Sequence, residues 1–376
     1  MKNNSRLVVE YIYIFVLVTS IIMSSLFSIA WAQEHSLPLI STRGQFDLET
    51  GQLIGGHNST DYKAVNIPDC PPEIAIVVHG FGLDDAKAAE RFDRTLMSLN
   101  ANNYKIPLIG FSWDSNTISL PFDFGWSAWF NAKSISKDNG PKLAQFILDY
   151  MDNCKNEDKE SMIRLISHSL GARVILSSLD SLHNNNIWNN NNYKITSVHL
   201  LGAAVDNEEV SKNIQDILFD GTNIGTVKTN AYGNSIEQEV TDFYNLYSPN
   251  DNYLEPKLFM QIYPSYEFGD RALGQSGYQT LPYPISFSLP KNYVQIDVEN
   301  EIPAICDADG DKKTDSPFTK GEPVSLGDNH IGYLGFRNAT DNAKLVDDGS
   351  INIVVDNWNN VEPKIEQKTE LTAICE

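Results

Sequence analysis

Strand-like and helix-like hydrophobic patterns alternate from residue 73 to about residue 250. Short apolar runs predict five strands, at 73–79, 106–113, 163–166, 195–201 and 240–247. Apolar residues spaced three or four apart predict the helices between them, one over 89–99, one that Pro141 opens and one over 170–182. Repeated strand–helix–strand units favour an α/β fold, with a mostly parallel, twisted sheet and helices on both faces.

Three stretches interrupt the alternation and set the predicted domain boundaries. Residues 33–72 form a polar, turn-rich N-terminal extension, or alternatively an edge hairpin, ahead of the main domain at 73–376. Residues 114–138 are rich in aromatic side chains without strong periodicity, which indicates core packing, with a lid or acyl pocket as the alternative. The asparagine-rich residues 184–192 are predicted to be a loop that is too polar to bury.

The N-terminus has the layout of an export signal. Basic side chains precede an apolar run at 11–31, which ends in small residues before Gln33. This order predicts a secretory signal peptide at 1–32. An uncleaved membrane anchor is the alternative, since a bilayer span needs ~20 apolar residues. Both predict a secreted or extracytoplasmic protein, and only the uncleaved anchor would contact a membrane.

All cysteines lie in the part of the chain that would be exported. They are Cys70, Cys154, Cys306 and Cys375. In an oxidising compartment an even count predicts two disulfides, and the pairing stays open. None of them is spaced as CxxC, so neither a thiolate zinc site nor a redox pair is indicated.

Composition supports a large folded domain and argues against one class of partner. The chain has 376 residues, of which 41% are hydrophobic, so it can bury a sizeable core. Its 28 basic residues are outnumbered by 49 acidic ones, and the formal net charge is −21. A nucleic-acid-binding protein needs a basic face for the phosphates, so nucleic acid is not expected as a partner. The acidic balance is typical of a soluble surface.

The strongest chemical motif follows the third predicted strand. Ser167-His168-Ser169-Leu170-Gly171 lies between an apolar strand and an apolar helix, and it nearly matches the nucleophile elbow G-x-S-x-G. Small residues are needed two positions either side of the serine, because the strand and helix backbones approach closely there. Ser167 departs from the usual glycine but remains small. Ser169 is therefore the candidate nucleophile.

A second motif, His79-Gly80-Phe81-Gly82, ends the first predicted strand. Backbone N–H groups at such a strand end can face the charge that develops on a tetrahedral intermediate. The N–H groups of Phe81 and Leu170 are the predicted oxyanion hole. His79 is interpreted as a structural residue that shapes this loop.

Together these motifs resemble the α/β-hydrolase superfamily, and within it exported esterase- and lipase-like serine hydrolases. The resemblance spans residues 74–330 and implies the chain order serine, acid, histidine. His330 is the only histidine after the last predicted core strand and is the predicted base. Asp251, at the exit of the second strand after the serine, is the predicted acid. Asp206, at the exit of the strand before it, is the alternative acid.

One further motif suggests a metal ion. Alternating carboxylates resemble the start of a calcium loop: Asp307, Asp309, Asp311 and Asp315. Lys312 stands where such a loop has glycine, and Phe318 stands where it has glutamate. A solvated acidic turn is therefore an equal alternative to a calcium site.

The sequence thus predicts an exported serine hydrolase that cleaves a small-molecule or lipid ester through an acyl-enzyme on Ser169. This chemistry requires no cofactor, and calcium is an optional ligand. Thioesterase or peptidase activity is the alternative among enzymes. A surface or binding protein whose hydrolase scaffold has lost activity is the alternative outside them.

Overall fold

Eight strands form one mostly parallel sheet in the computed structural model of the chain. The structure describes residues 37–119, 125–212, 218–219, 224–226, 231–251, 253–254, 271–278, 288–302, 328–338 and 341–365. The chain divides into two units, Met1–Leu37 and Pro38–Glu376, and the elements that the structure describes lie in the second. The predicted signal segment at 1–32 lies outside the described residues.

Strands and helices alternate along the second unit. The strands are β1 (Leu39–Ser41), β2 (Lys63–Val65), β3 (Glu73–Val78), β4 (Leu108–Ser112), β5 (Met162–His168), β6 (Ile195–Leu201), β7 (Leu218–Phe219), β8 (Ile224–Thr226), β9 (Val240–Tyr247), β10 (Tyr293–Asp297), β11 (Phe336–Asn338) and β12 (Asp341–Asp347). The helices are α1 (Asp85–Ala101), α2 (Trp126–Asn156), α3 (Gly171–His183), α4 (Asn186–Asn191), α5 (Gly233–Glu239), α6 (Leu273–Ser276), α7 (Asp328–Ile331) and α8 (Ile351–Trp358), with a 3₁₀ helix at Gly332–Leu334.

The sheet confirms the predicted α/β fold. Its strand order is β10-β9-β6-β5-β3-β4-β1-β2, and every pairing is parallel except that of β1 with β2. Nearly all side chains of the central strands β3 and β5 are buried, as their apolar, β-branched runs require. The carboxyl ends of β3, β5, β6 and β9 therefore meet at one edge of the sheet, where the candidate residues follow them.

The N-terminal extension contributes two strands to this sheet. β1 pairs in parallel with β4, with Ile40 opposite Phe111. β2 then pairs antiparallel with β1 and forms the outer edge, where its three residues are exposed. The edge-hairpin alternative for this part of the sequence is thus the arrangement that the structure adopts.

The second helix continues through a residue that was predicted to begin it. Pro141 is an interior residue of α2, although proline cannot donate to the carbonyl four residues back, here that of Lys137. The Ser177 hydroxyl of α3 donates to that carbonyl instead, at 2.7 Å. Gly140 makes room for α3, because a Cβ at this position would collide with Ser177. Packing against α3 therefore carries α2 across a helix-breaking residue.

The aromatic segment at 114–138 is divided between a loop and the first turns of α2. Its helical part lies in the core through Trp129, Ala132 and Ile135. Residues 120–124 lie outside the described residues. The helical part is thus packed in the core, and the lid alternative stays a prediction.

The asparagine-rich segment is helical, and its prediction as an unburied loop is wrong. Residues 186–191 form α4, and Asn185 caps its first turn by accepting from the N–H groups of Ile187 and Trp188. Trp188 is fully buried, and its indole N–H donates to Glu239 at 2.7 Å. One tryptophan therefore anchors a segment whose average polarity suggested exposure.

One of the expected disulfides is present. Cys70 and Cys154 join the segment before β3 to the end of α2 across 84 residues. Cys306 and Cys375 lie outside the described residues, so a second disulfide stays a prediction. Among the helices of the described residues, none is both long enough and apolar enough to cross a bilayer.

Candidate active site

Ser169 occupies a strained turn between β5 and α3. Its φ is +56°, in the left-handed region that L-residues rarely adopt. Backbone hydrogen bonds hold the turn: Ser169 N–H donates to the Leu201 carbonyl at 3.0 Å, and Ala204 N–H donates to the Ser169 carbonyl at 3.1 Å. The chain therefore makes a sharp corner at the serine of the motif.

Two glycines allow β3 and its exit loop to approach this corner. A Cβ on Gly171 would lie 2.5 Å from the Val78 carbonyl oxygen, and a Cβ on Gly80 would lie 2.7 Å from Ser169 Cβ. Both distances are too short for real contacts, so these positions require glycine. Ser167, which replaces the usual first glycine of the motif, is fully buried.

A carboxylate and an imidazole form a buried pair. His330 Nδ1 lies 2.7 Å from Asp251 Oδ2, and the two side chains are 5% and 0% exposed. The other oxygen of Asp251 accepts from the Leu254 N–H at 3.2 Å. Because a carboxylate faces Nδ1, the neutral ring carries its proton there and leaves Nε2 as an acceptor. Within the described residues Nε2 is buried and makes no hydrogen bond, to Ser169 Oγ or to any other atom.

The two candidate acids have different partners. Asp206 Oδ2 lies 3.8 Å from Arg173 Nη2, and the Asp206 backbone bridges to Ala272. In the part of the chain that the structure describes, Asp251 is the only carboxylate in contact with His330. The geometry therefore favours Asp251 over Asp206 as the partner of the predicted base.

His168, the residue before the serine, joins the corner to the segment that holds His330. Its Nε2 donates to the His330 carbonyl oxygen at 2.6 Å, and the two rings are 4.7 Å apart. Burial, with His330 alongside, keeps the pKa of His168 well below 6.5, so the ring stays neutral. Sequence reasoning assigned His168 no role of its own, because a motif gives the position of a residue but not its contacts.

Two tyrosines that the sequence did not single out enclose the His330 ring. Tyr253 stacks on it at 4.9 Å with an interplanar angle of 8°, and Tyr333 approaches it edge-on at 6.4 Å. The Tyr333 hydroxyl donates to the Gly274 carbonyl at 3.1 Å. These contacts restrict the plane of the imidazole beyond what the carboxylate alone would do.

Within the described residues, the N–H groups predicted to form the oxyanion hole have no acceptor. Neither the Phe81 N–H nor the Leu170 N–H donates to a backbone or side-chain atom of the described residues. Leu170 directly follows the serine and precedes α3. The Phe81 ring packs edge-on against Trp129 at 5.4 Å. Unpaired backbone donors are uncommon in folded proteins, so two of them near the serine are notable. Because neither N–H is used within the described residues, both can donate to an oxygen of a ligand.

His79 braces the loop that contains Phe81. Its Nε2 accepts from the Trp113 backbone N–H at 3.1 Å, and the Trp113 indole donates to the His79 carbonyl at 2.8 Å. The two rings stack at 5.6 Å. Burial, together with the charge of Arg43, lowers the pKa of His79 to about 3. His79 is thus a neutral residue with a bracing function in the loop.

The candidate calcium ligands fall outside the described residues. They are Asp307, Asp309, Asp311 and Asp315. Among the described residues, Asp69, Cys70 and Glu157 form a group with metal-ligand atoms. Cys70 is in a disulfide, and Lys159 pairs with both carboxylates. That group is therefore explained by a salt-bridge cluster beside the disulfide.

The parallel sheet and the serine corner define the α/β-hydrolase fold. A family model described as "Alpha/beta hydrolase of unknown function (DUF900)" matches residues 65–261, which is more than half of the chain. The chain belongs to this family. No curated protein matches the chain.

Several solved structures are similar over about half of the chain. An iodinated complex of an acetyl xylan esterase is 12% identical with a TM-score of 0.27, over 48% of this chain and 85% of that one. Phospholipase PlaB from Legionella pneumophila is 14% identical with a TM-score of 0.27, over 51% of this chain and 41% of that one. A cutinase-like protein from Cryptococcus sp. is 12% identical with a TM-score of 0.24, over 46% and 76%. Likeness this low does not assign a reaction.

Proposed function

We propose that the chain is a serine hydrolase that cleaves a carboxylic ester through an acyl-enzyme, with Ser169 as nucleophile, His330 as base and Asp251 as orienting acid. The proposal rests on the 2.7 Å contact between His330 Nδ1 and Asp251 Oδ2, which are both buried. His168 ties the backbone of this histidine to the serine corner. A carboxylate-oriented histidine, joined through His168 to the corner of a strained serine, supports an assignment to nucleophilic acyl transfer.

Each member of the triad has one role in this mechanism. Asp251 holds the imidazole in the tautomer whose Nε2 accepts the Ser169 proton, and it stabilises the imidazolium that forms. Ser169 Oγ attacks the ester carbonyl carbon. His330 returns the proton to the departing alcohol, and the acyl group stays on Ser169. Substrate binding is expected to bring Oγ and Nε2 together, since catalytic hydrogen bonds tighten in the substrate complex.

The second half of the reaction uses the same groups. His330 takes a proton from water, the hydroxide attacks the acyl-enzyme carbonyl, and Ser169 leaves with the proton from His330. In both halves the negative oxygen of the tetrahedral intermediate accepts from the Phe81 and Leu170 N–H groups. These steps need no cofactor.

The sequence favours an exported enzyme whose substrate is a small-molecule or lipid ester. The HGFG and SHSLG motifs resemble those of esterase- and lipase-like hydrolases. The Cys70–Cys154 disulfide is compatible with an oxidising compartment. Thioesters and peptides are the competing substrates, because an acyl-enzyme can form from any of the three.

The test is covalent labelling of the purified chain with a fluorophosphonate, together with hydrolysis of p-nitrophenyl esters, acyl thioesters and peptide anilides. We expect labelling at Ser169 and the highest kcat/KM on the esters. Ser169→Ala should abolish labelling and hydrolysis with little change in stability. The buried neighbour Ser167→Ala is the matched control and should keep both.

Other results would redirect the proposal. Preference for thioesters or anilides would keep the serine mechanism and change the substrate class. Absence of labelling in a folded chain would favour a binding protein on an inactive scaffold. Full hydrolysis by the Ser169→Ala variant would exclude the triad altogether.

A further inference from the structure

A partly buried arginine lies beneath the loop that contains the predicted oxyanion donor. Arg43 follows β1, outside the residues that match the family model, and its side chain is 12% exposed. It donates to Ser112 Oγ at 2.9 Å, to Asn116 Oδ1 at 3.0 Å and to the Leu83 carbonyl at 2.8 Å. Its Nη2 also lies 3.2 Å from His79 Nε2. One guanidinium therefore contacts the exits of both β3 and β4.

The backbone beside this arginine is fixed by a carboxylate. Asp114 accepts from the backbone N–H groups of Gly44, Gln45 and Phe46, each at 3.0 Å. On the outer side Arg43 Nε lies 3.1 Å from Asp85. The planar guanidinium presents its donors in a fixed fork, so an anchored Arg43 defines a direction for each of its partners.

The contacts of His79 determine where its ring proton lies. Nε2 faces two N–H donors, from Arg43 and from the Trp113 backbone, so Nε2 must be the acceptor. The proton is therefore on Nδ1, which lies 2.9 Å from the Gly80 carbonyl oxygen and donates to it. Arg43 and the Trp113 backbone N–H thus together favour the tautomer of His79 that can hold Gly80.

The Gly80 carbonyl and the Phe81 N–H belong to the same peptide unit. The structure has no cis peptide bond among the described residues, and a trans peptide is planar with its C=O and N–H pointing in opposite directions. A hydrogen bond that fixes the carbonyl oxygen therefore fixes the direction of the N–H. This peptide lies against Ser169, because a Cβ on Gly80 would be 3.3 Å from Ser169 Oγ.

We propose that Arg43 and His79 are positioning residues, which aim the Phe81 N–H at the oxyanion by holding the Gly80 carbonyl from the opposite side. The inference rests on the proposed function, since it assumes that an oxyanion forms beside Ser169. It assigns a role in turnover to a residue of the N-terminal extension. A role in stability alone would leave the kinetics of correctly folded molecules unchanged.

The experiment uses the full chain with paired variants at both positions. His79→Asn places an amide N–H near the position of Nδ1, whereas His79→Gln places its amide near Nε2 and leaves the Gly80 carbonyl without a donor. Arg43→Lys keeps the charge and Arg43→Met removes it. For each variant kcat and KM are measured on a p-nitrophenyl ester, with active sites counted by fluorophosphonate, and Ki is measured for a trifluoromethyl ketone that forms a tetrahedral oxyanion on serine.

The proposal predicts a change in kcat rather than in KM. His79→Gln should lower kcat by about 10- to 100-fold, which is less than the loss of ~100- to 1,000-fold for a deleted oxyanion donor. The Ki of the ketone should rise by the same factor while KM stays within about twofold. His79→Asn should recover most of the loss. Arg43→Met should lower kcat by about tenfold, and Arg43→Lys should restore part of it.

Two patterns would overturn the inference, and a third separates it from the proposed function. Variants that melt earlier but keep kcat and Ki per active site would show a purely structural role. If His79→Asn and His79→Gln lower kcat equally and both raise KM, the role of His79 is again purely structural. If the unmodified chain neither labels nor hydrolyses esters, the proposed function fails and this inference fails with it. If that chain is active and depends on Ser169, only the inference is at stake.

Discussion

The two halves of the candidate site are built in different ways. The serine half consists of turns that directly follow β3 and β5, so its motifs are short stretches of sequence, although Leu201 and Ala204 also hold the corner at Ser169. The base half brings Asp251 and His330 together across 79 residues. Its segment is fixed from outside, for example by Ser98 Oγ of α1, which donates to the Leu334 carbonyl at 2.9 Å. Local sequence therefore points to the proposed nucleophile, whereas only tertiary contacts point to its proposed acid–base pair.

The largest fall in kcat is expected when Asp251, the proposed acid of the base half, is replaced. Asp251→Asn should lower kcat by about 10⁴-fold, because the amide can leave the imidazole in the wrong tautomer. The serine half would be unchanged, so fluorophosphonate labelling should be slowed rather than redirected to another residue. Single-turnover kinetics on a p-nitrophenyl ester measure the loss.

Asp206→Asn is the matched control for this change. Asp206 pairs with Arg173 rather than with His330, so its substitution should change kcat by less than about tenfold. The reverse ranking of the two variants would transfer the role of the acid to Asp206.

The second-largest fall in kcat is expected from a substitution in the serine half. Gly171→Ala adds a Cβ that would lie 2.5 Å from the Val78 carbonyl oxygen, and a backbone oxygen cannot move away cheaply. The helix must shift, which should lower the free energy of unfolding by about 1–3 kcal/mol. A displacement of the serine by about 1 Å should also lower kcat by about 100-fold. Ala172→Gly, one residue further along α3, removes a Cβ instead and serves as control. Equal kcat in both variants would show that the close approach is not needed for turnover.

This difference between the halves also explains what the sequence could and could not predict. The central strands and the corner at Ser169 follow from periodicity and motif, whereas the order of serine, acid and histidine is implied only by the family resemblance. The choice between Asp251 and Asp206 could not follow, since both stand at strand exits and only the folded chain shows which one contacts His330. Trp188 and Pro141 misled the prediction because a single buried side chain, or one hydroxyl from a neighbouring helix, outweighed the local pattern.

The third effect tests the connection between the halves. His168→Phe removes the donor to the His330 carbonyl and leaves that buried oxygen unpaired. Loss of one such hydrogen bond corresponds to about tenfold in kcat if the histidine moves. His168→Gln can place an N–H near the position of Nε2 and should recover part of the loss. If the Phe and Gln variants have the same kcat, the two halves are positioned independently of this contact.

The smallest effect is a pH dependence of stability that distinguishes buried histidines inside and outside the site. Burial, with Arg164 nearby, lowers the pKa of His199 to about 3; this residue stacks on Tyr244 at 4.6 Å, within the sheet. The unfolded chain gains a proton on this histidine below pH 6.5, whereas the folded chain gains it only near pH 3. Between these values the unfolded state binds more protons, so stability present above pH 6.5 is lost as the pH falls. The contribution is at most ~1.4 kcal/mol per pH unit for each such histidine.

Urea unfolding at pH 7.5, 6 and 5 measures this slope. His199→Gln should reduce the slope by the contribution of one histidine and leave kcat unchanged, because His199 lies outside the site. His79→Gln should reduce the pH dependence of the unfolding free energy by the same amount as His199→Gln, but it should also lower kcat. If the His199 variant has the same slope as the unmodified chain, burial does not hold His199 neutral. The buried histidines would then differ in how they bind protons, and the neutral bracing assigned to His79 would need separate proof.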